Sequence, residues 1–191
     1  MGETSKAHAR RLASGFFAKY TDGRLVIDIG AGVDGTNNPL DLVCPHAWAW
    51  DTNSGDATFM ASVQDGFFDT VYSSHLIEHL VDPVTAVKNW WRILKPGGHL
   101  IISAPSRDHY EKRKTLPSRW NSDHKFFVTL DWSEPPCSFA LFDMVNGALG
   151  GAFNLLTYQL ETTGHTVTDP EVHSDGEYSI ELVLRKPVST P

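Results

Sequence analysis

The alternation of apolar and polar positions divides the chain into short strand-like and helix-like segments. Residues 5–20 place Leu12, Phe16 and Tyr20 at four-residue spacing, which predicts a short helix with one apolar face. Its role is left open between a cover on the core and a lid over the site that follows the first strand. Leu25 to Ile29 is an apolar run broken only by Asp28, with β-branched Val26, Ile27 and Ile29. A run apolar on both faces predicts a strand in the middle of a parallel sheet. It stops at Gly30-Ala31-Gly32, where two glycines allow a tight turn and let a ligand approach bare backbone.

Residues 33–45 contain "DGTNNP", which disfavours a long helix. "HAWAW" (46–50) predicts a second strand ending at Asp51, "NSGDAT" (53–58) a turn, and residues 59–66 at most one helical turn. "FFDTVYSS" (67–74) is the next strand. Asp82-Pro83 then caps a helix in which Val84, Val87, Trp91 and Leu94 recur at three- and four-residue spacing. Lys95-Pro96-Gly97-Gly98 ends it, and "HLIISAP" (99–105) is a further strand. Residues 106–128 are polar and aperiodic, a loop long enough to be functional or mobile. Residues 139–149 predict a helix, and 153–161 and 178–186 two closing strands around a hairpin-compatible stretch. Strand and helix alternate as in an α/β, mostly parallel sheet, whose ligands bind beyond the carboxyl ends of the strands. Gly30–Gly32, Asp51, Ser73–His75 and the loop after Ala104 are expected to converge there.

Composition narrows this little further. The 191 residues suit one domain, and 41% hydrophobic content suits a sizeable core. A formal charge of −7 argues against general nucleic-acid binding. Cys44 and Cys137 give neither a disulfide framework nor a CxxC pair. No apolar run approaches the roughly 18–20 residues of a membrane span, and the first residues lack a signal-peptide apolar core. The expectation is a cytoplasmic protein with no membrane and no nucleic-acid partner; the oligomeric state is left undetermined.

Gly30-x-Gly32-x-x-Gly35 matches a dinucleotide fingerprint, with Asp51 about where a ribose-binding acid is expected. Such an acid serves NAD and S-adenosylmethionine equally. The downstream segments separate them. "VIDIGAG", "GDAT", "FFDTVYSSHLIEHLVDP" and "WWRILKPGGHLIISAP", in that order, resemble the class I S-adenosylmethionine-dependent methyltransferases, and "DHKFF" (123–127) resembles their His-containing stretch. The resemblance runs from about Leu25 to Phe127 and is nearest the small-molecule branch. It implies a Rossmann-like doubly wound sheet with an antiparallel closing strand. It also implies that the helix between the second and third strands is shortened or missing, because only a few residues separate Asp51 from Asp56. It divides a single domain (1–191) into an N-terminal helix or lid (1–23), a cofactor-binding core (24–128) and a closing helix and strands (129–191).

By that resemblance Asp28, Gly30, Ala31 and Gly32 contact the methionine part of S-adenosylmethionine. Asp51 holds the ribose, Asp56 and Ala57 the adenine, and Ser74 and His75 flank the sulfonium, with Thr52 and Ser73 as further cofactor-binding candidates. The implied reaction is in-line methyl transfer to a small-molecule or saccharide acceptor, leaving S-adenosylhomocysteine. The candidate bases, in order, are His124, His75 and His109, since a histidine titrates near neutral pH. Arg107, Lys112, Arg113 and Lys114 are candidates to hold an anionic acceptor. The competing readings are a non-catalytic cofactor-binding or scaffold module of the same fold and an NAD-binding protein. His75-x-x-Glu78-His79 also matches an inverted zinc-protease pattern if helical. No third ligand is evident there, and no metal is expected.

Overall fold

The computed structural model describes residues 3–23, 25–32 and 41–188. Three short helices open the chain: α1 (Glu3–Lys6), α2 (His8–Ala13) and α3 (Phe16–Tyr20). One helix was expected over this stretch, with Leu12 on its apolar face. The break at Gly15, in a left-handed conformation, changes the phase. Leu12 points to solvent, and Arg11 and Phe16 are buried instead.

β1 (Val26–Ile29), β2 (Trp48–Trp50), β3 (Phe68–Ser74) and β4 (Leu94–Pro105) run parallel. α4 (Pro83–Ile93) connects the last two. Two short strands follow, β5 (Phe127–Thr129) and β6 (Ser138–Ala140), which pair with each other. Then come α5 (Leu141–Leu149), β7 (Asn154–Glu161) and β8 (Ser179–Arg185). The main sheet has the order β2-β1-β3-β4-β8-β7, with β8 antiparallel to both neighbours. The doubly wound, mostly parallel sheet and its antiparallel closing strand are therefore as expected. So is the missing helix: among the described residues nothing helical separates β2 from β3, only turns. β2 is the edge strand, which explains how a strand tolerates two tryptophans. Trp48 is half exposed and meets Phe68 edge-on, and the Trp50 Nε1–H donates to the Gly55 carbonyl. Of residues 33–45, where no long helix was expected, 33–40 lie outside the described residues and 41–45 are not helical.

Period-two alternation sends side chains to two cores. Ile27, Ile29, Val71, Leu100, Ile102, Ile180, Leu182 and Leu184 face α4 and α5, while Val26, Tyr72, Ile101 and Val183 face the N-terminal helices with Phe16. On α4 the buried stripe is Ala86, Val87, Trp90 and Ile93, one residue out of phase with the expected Trp91 and Leu94 face. Trp90 is buried because its Nε1–H has a partner, the Ala57 carbonyl. Asp82 caps α4 as expected, accepting from the Thr85 N–H at 3.0 Å with Pro83 in the first turn.

Lys95–Gly98 does not separate helix from strand; it is already part of β4. Gly98 packs so closely on β3 that a Cβ there would lie 2.7 Å from the Asp69 carbonyl. The polar stretch 106–128 is not a free loop either. It begins with a wide helical turn, Arg107–Glu111, and ends in β5. No helix among the described residues is long and apolar enough to cross a membrane.

Candidate active site

The carboxyl ends of β1, β2 and β3 open onto one cleft of about 430 Å³, lined by Gly30, Trp50, Asp51, Thr52, Asp56, Ala57, Leu76 and Leu80 among others. Gly30 adopts φ 82°, and its N–H donates to the Trp50 carbonyl at 2.8 Å. A Cβ at Gly30 would sit 3.0 Å from the Leu76 side chain, so the bare backbone is what leaves the cleft its floor.

Asp51 is fixed by two backbone donors. Its Oδ2 accepts from the Gly32 N–H at 2.9 Å and its Oδ1 from the Thr52 N–H at 2.7 Å. Each oxygen keeps lone-pair capacity toward the cleft. The expected ribose acid is therefore also the tie between the glycine turn and the end of β2. Asp56 is exposed and accepts from the Thr58 N–H, while Ala57 lines the cleft. Leu76, Leu80 and Trp50 supply apolar surface on either side.

Asp28 is placed differently from a ligand contact. It is 1% exposed, and its Oδ2 accepts from the Val43 N–H at 2.7 Å. Burial pushes its carboxyl up to about 7 against the downward pull of that hydrogen bond and of Arg11. An acid raised above its unfolded value of about 4 costs stability once it must ionise in the fold. That cost is absent below about pH 4 and complete above about pH 7. Asp28→Asn is expected to flatten the loss of stability between pH 5 and pH 8. Urea midpoints at the two pH values check this; the same decline in variant and parent would refute it.

Ser73 lies at the end of β3 opposite Ile29, and its buried Oγ has no hydrogen-bond partner among the described residues. Such an orphan hydroxyl beside the turn suits a ligand-facing position. Ser74 is partly buried beyond it. His75 follows in a left-handed conformation (φ 51°), donates its N–H to the Ser103 carbonyl, and sets its Nε2 2.8 Å from Ser179 Oγ. Burial and the nearby cationic groups push its pKa down to about 3, so its imidazole is neutral.

His124 is buried beside the 3-10 turn Ile77–His79, with its Nδ1 2.5 Å from Glu111 Oε1 and its ring 4.7 Å from that of His79. Tyr110 stands between His124 and Tyr178, and Tyr178 packs on His75. His75 and His124 thus belong to one ring-lined cluster at the ends of β3 and β8. His109 is apart from it, paired with Ser106 Oγ and edge-on to His165, and burial lowers its pKa. Of the four cations considered for an acceptor, Arg107 is buried between Asp108 and Glu134 over Trp132, and Lys112 is held by three carbonyls of the stretch 167–172. Both are engaged in structure. Residues 3–23 reach the same end of the sheet: Thr4 meets the Tyr72 hydroxyl, and the Tyr178 hydroxyl donates to Glu3.

Sequence reasoning missed Glu111, Tyr110 and Tyr178, which come from the polar stretch and from the start of β8. Glu78 was visible only as part of the His75–His79 pattern. That pattern is not an α-helix: His75 is left-handed and only Ile77–His79 make a 3-10 turn, so His75 and His79 do not share a face.

Comparison with known proteins bears on this cleft. The methyltransferase domain family matches residues 13–102. The ubiquinone biosynthesis O-methyltransferase of Xanthomonas oryzae pv. oryzae is 40% identical over 48 residues, 25% of this chain. That match spans only a fifth (20%) of the relative's length. A S-adenosylmethionine-dependent methyltransferase from Archaeoglobus fulgidus superposes with a TM-score of 0.56 at 14% identity, covering 97% of this chain and 95% of that one. The cyclase SpnF superposes with a TM-score of 0.57 at 15% identity, covering 95% and 82%. At such identities the likeness is one of fold, which different reactions share.

Proposed function

We propose that the chain, whose residues 13–102 match the methyltransferase domain family, is a class I S-adenosylmethionine-dependent methyltransferase that moves a methyl group to a small-molecule or saccharide acceptor by in-line displacement. The observation that carries this reading is Asp51, anchored through Gly32 and Thr52 at the mouth of a cleft with a glycine floor and apolar walls. That donor set suits an adenosine: a carboxylate for vicinal hydroxyls, and Leu76, Leu80 and Ala57 for a flat base. When bound, S-adenosylmethionine supplies an electrophilic methyl on a positive sulfur.

The protein's task is then mostly positioning. Holding nucleophile and methyl in line is worth about 7–11 kcal/mol, whereas a general base adds roughly 10²–10⁴-fold, about 3–5 kcal/mol. His124, oriented by Glu111, is the side chain best held for work on the acceptor. His75 is poorly suited to take a proton at neutral pH because its pKa is about 3. His109 stands outside the cluster. A cytoplasmic setting accords with Cys44 and Cys137, both free thiols.

Calorimetric titration with S-adenosylhomocysteine, with NAD as comparison ligand, tests the cofactor. Micromolar binding of the first alone is expected. Binding of neither would make the chain a scaffold of the fold. His124→Ala is expected to leave S-adenosylhomocysteine affinity within about twofold and to lower turnover by the 10²–10⁴ of a lost acceptor-side group. Undiminished turnover would remove His124 from the reaction.

A further inference from the structure

Glu78 and His79 take no part in the cofactor cleft, yet they meet His124 in a defined way. Ile77–His79 makes a single 3-10 turn, so His75 goes to Ser179 and His79 turns elsewhere. His79 Nε2 and His124 Nε2 each lie 3.8 Å from the same atom, Glu78 Oε1. One ligating atom from each of the three residues falls within 4.8 Å of the others.

Each imidazole is oriented by a second carboxylate. His124 Nδ1 is 2.5 Å from Glu111 Oε1, and His79 Nδ1 is 3.0 Å from Asp123 Oδ2. A proton on Nδ1 donated to a carboxylate leaves the lone pair of Nε2 turned inward, the arrangement that outer carboxylates give to metal-bound histidines.

Glu78 supplies an independent observation. It is fully buried, and among the described residues no other residue gives either of its carboxylate oxygens a hydrogen bond; Glu111 Oε2 is also buried and unpartnered there. Two buried acids beside two imidazole lone pairs leave a gap in charge and hydrogen bonding that no side chain fills.

We propose that Glu78, His79 and His124 form a binding site for one divalent transition-metal ion of the zinc type. Two imidazole nitrogens and one carboxylate oxygen suit zinc and its first-row neighbours, whereas magnesium and calcium take oxygen sets. Bonds of about 2.0–2.2 Å around a tetrahedral ion hold ligand atoms roughly 3.3–3.6 Å apart. The two 3.8 Å separations to Glu78 Oε1 therefore close by a few tenths of an ångström on binding, and the two imidazole nitrogens, no more than 4.8 Å apart, close by at most about 1.5 Å. Three protein ligands leave a position for water or a substrate oxygen. The His79 side chain, 20% exposed, gives the ion its way in. In this assignment His124 meets the acceptor through the ion on its Nε2, so the lower turnover expected of His124→Ala holds with the ion as with a base, and the site stands whether or not methyl transfer is the reaction.

The test is zinc content and binding of the full chain. Protein stripped with a chelator is dialysed against zinc chloride, with magnesium chloride in parallel, and bound metal is measured by atomic emission. One zinc per chain is expected, with a rise in thermal midpoint and no comparable uptake of magnesium. Cobalt(II) in place of zinc gives a ligand-field spectrum that reports the coordination. Glu78→Gln keeps the shape and removes the buried charge. It is expected to hold the stripped midpoint at or above that of the parent, to lose at least about 100-fold in zinc affinity, and to show no zinc-induced rise. His124→Asn loses the affinity likewise, and exposed His46→Ala does not. No stoichiometric zinc, preference for magnesium, or unchanged uptake by folded Glu78→Gln would each overturn the proposal.

Discussion

Asp51→Ala is expected to weaken S-adenosylhomocysteine binding about 100-fold. The carboxylate has two oxygens, each fixed by one backbone N–H and each with a lone pair to spare, on a residue that lines the cleft. A hydrogen bond to a charged group is worth about 1.5–3 kcal/mol, and 1.4 kcal/mol is tenfold in affinity. Losing both ribose contacts therefore predicts two orders of magnitude. The substitution also unties Gly32 from the end of β2, which loosens the glycine floor and adds to the loss. Asp51→Asn separates the two effects. Its amide offers one acceptor, so one backbone N–H keeps a partner while the other faces an NH₂ group. A loss near tenfold is expected. Asp51 is partly exposed, so the denaturation midpoint of either variant should move little. Unchanged affinity in Asp51→Ala, measured calorimetrically, would show that adenosine is not held at this strand end, and the cofactor assignment of the cleft would fall with it.

The cofactor side of this site was legible because it is written in local backbone chemistry. A buried β-branched run stopping at Gly30-Ala31-Gly32 specifies a strand and a turn with few alternatives, and an acid ending the next strand lies beside that turn in any parallel pair. The cluster around His124 was less legible. Its members come from the turn after β3, the wide turn Arg107–Glu111 and the stretch before β5, and only tertiary packing makes Glu111 the neighbour of His124. Periodicity also misled where a local event shifted its phase. Gly15 breaks the N-terminal helix and exposes Leu12. On α4, Trp90 rather than Trp91 is buried because the Ala57 carbonyl is within reach of its N–H. Asp28 was placed against the ligand by resemblance. The Val43 N–H holds its Oδ2 beneath the turn, a contact that rests on a loop without a readable period.

The same blindness to tertiary pairing hid Arg11, whose replacement is expected to be the most destabilising of the substitutions considered. A charged residue in a short amphipathic segment reads as a solvated face. Instead Arg11 is 1% exposed, stacked 4.8 Å from the Phe16 ring centroid, with Nε and Nη2 donating to Glu181 Oε2 and Nη1 donating to the Tyr72 hydroxyl at 2.7 Å. It joins the N-terminal helices to the middle of the sheet. Around it Glu161, Glu177 and Glu181 gather near Arg10, so carboxylates already outnumber guanidiniums there. Arg11→Met preserves much of the side-chain volume but leaves Glu181 buried with Arg10, at 3.4 Å, as its one cationic partner among the described residues. Breaking a buried pair from one side costs about 3–5 kcal/mol. Arg10 compensates in part, which places the expected loss near the lower figure, read as a fall in urea midpoint. Arg11→Met with Glu181→Leu removes both charges and is expected to recover most of that loss, because an apolar pair of similar volume carries no desolvation penalty. Additive losses in the double variant would mean that packing, not charge, anchors the segment. The anchoring has a functional reading. α1 reaches Tyr72 and Tyr178 at the carboxyl end of the sheet, so a segment released by Arg11→Met should exchange its amide hydrogens faster than β1 and β3. If residues 1–23 close over the cofactor, S-adenosylhomocysteine should also dissociate faster from that variant, whereas an unchanged dissociation rate would make the segment a cover for the core alone.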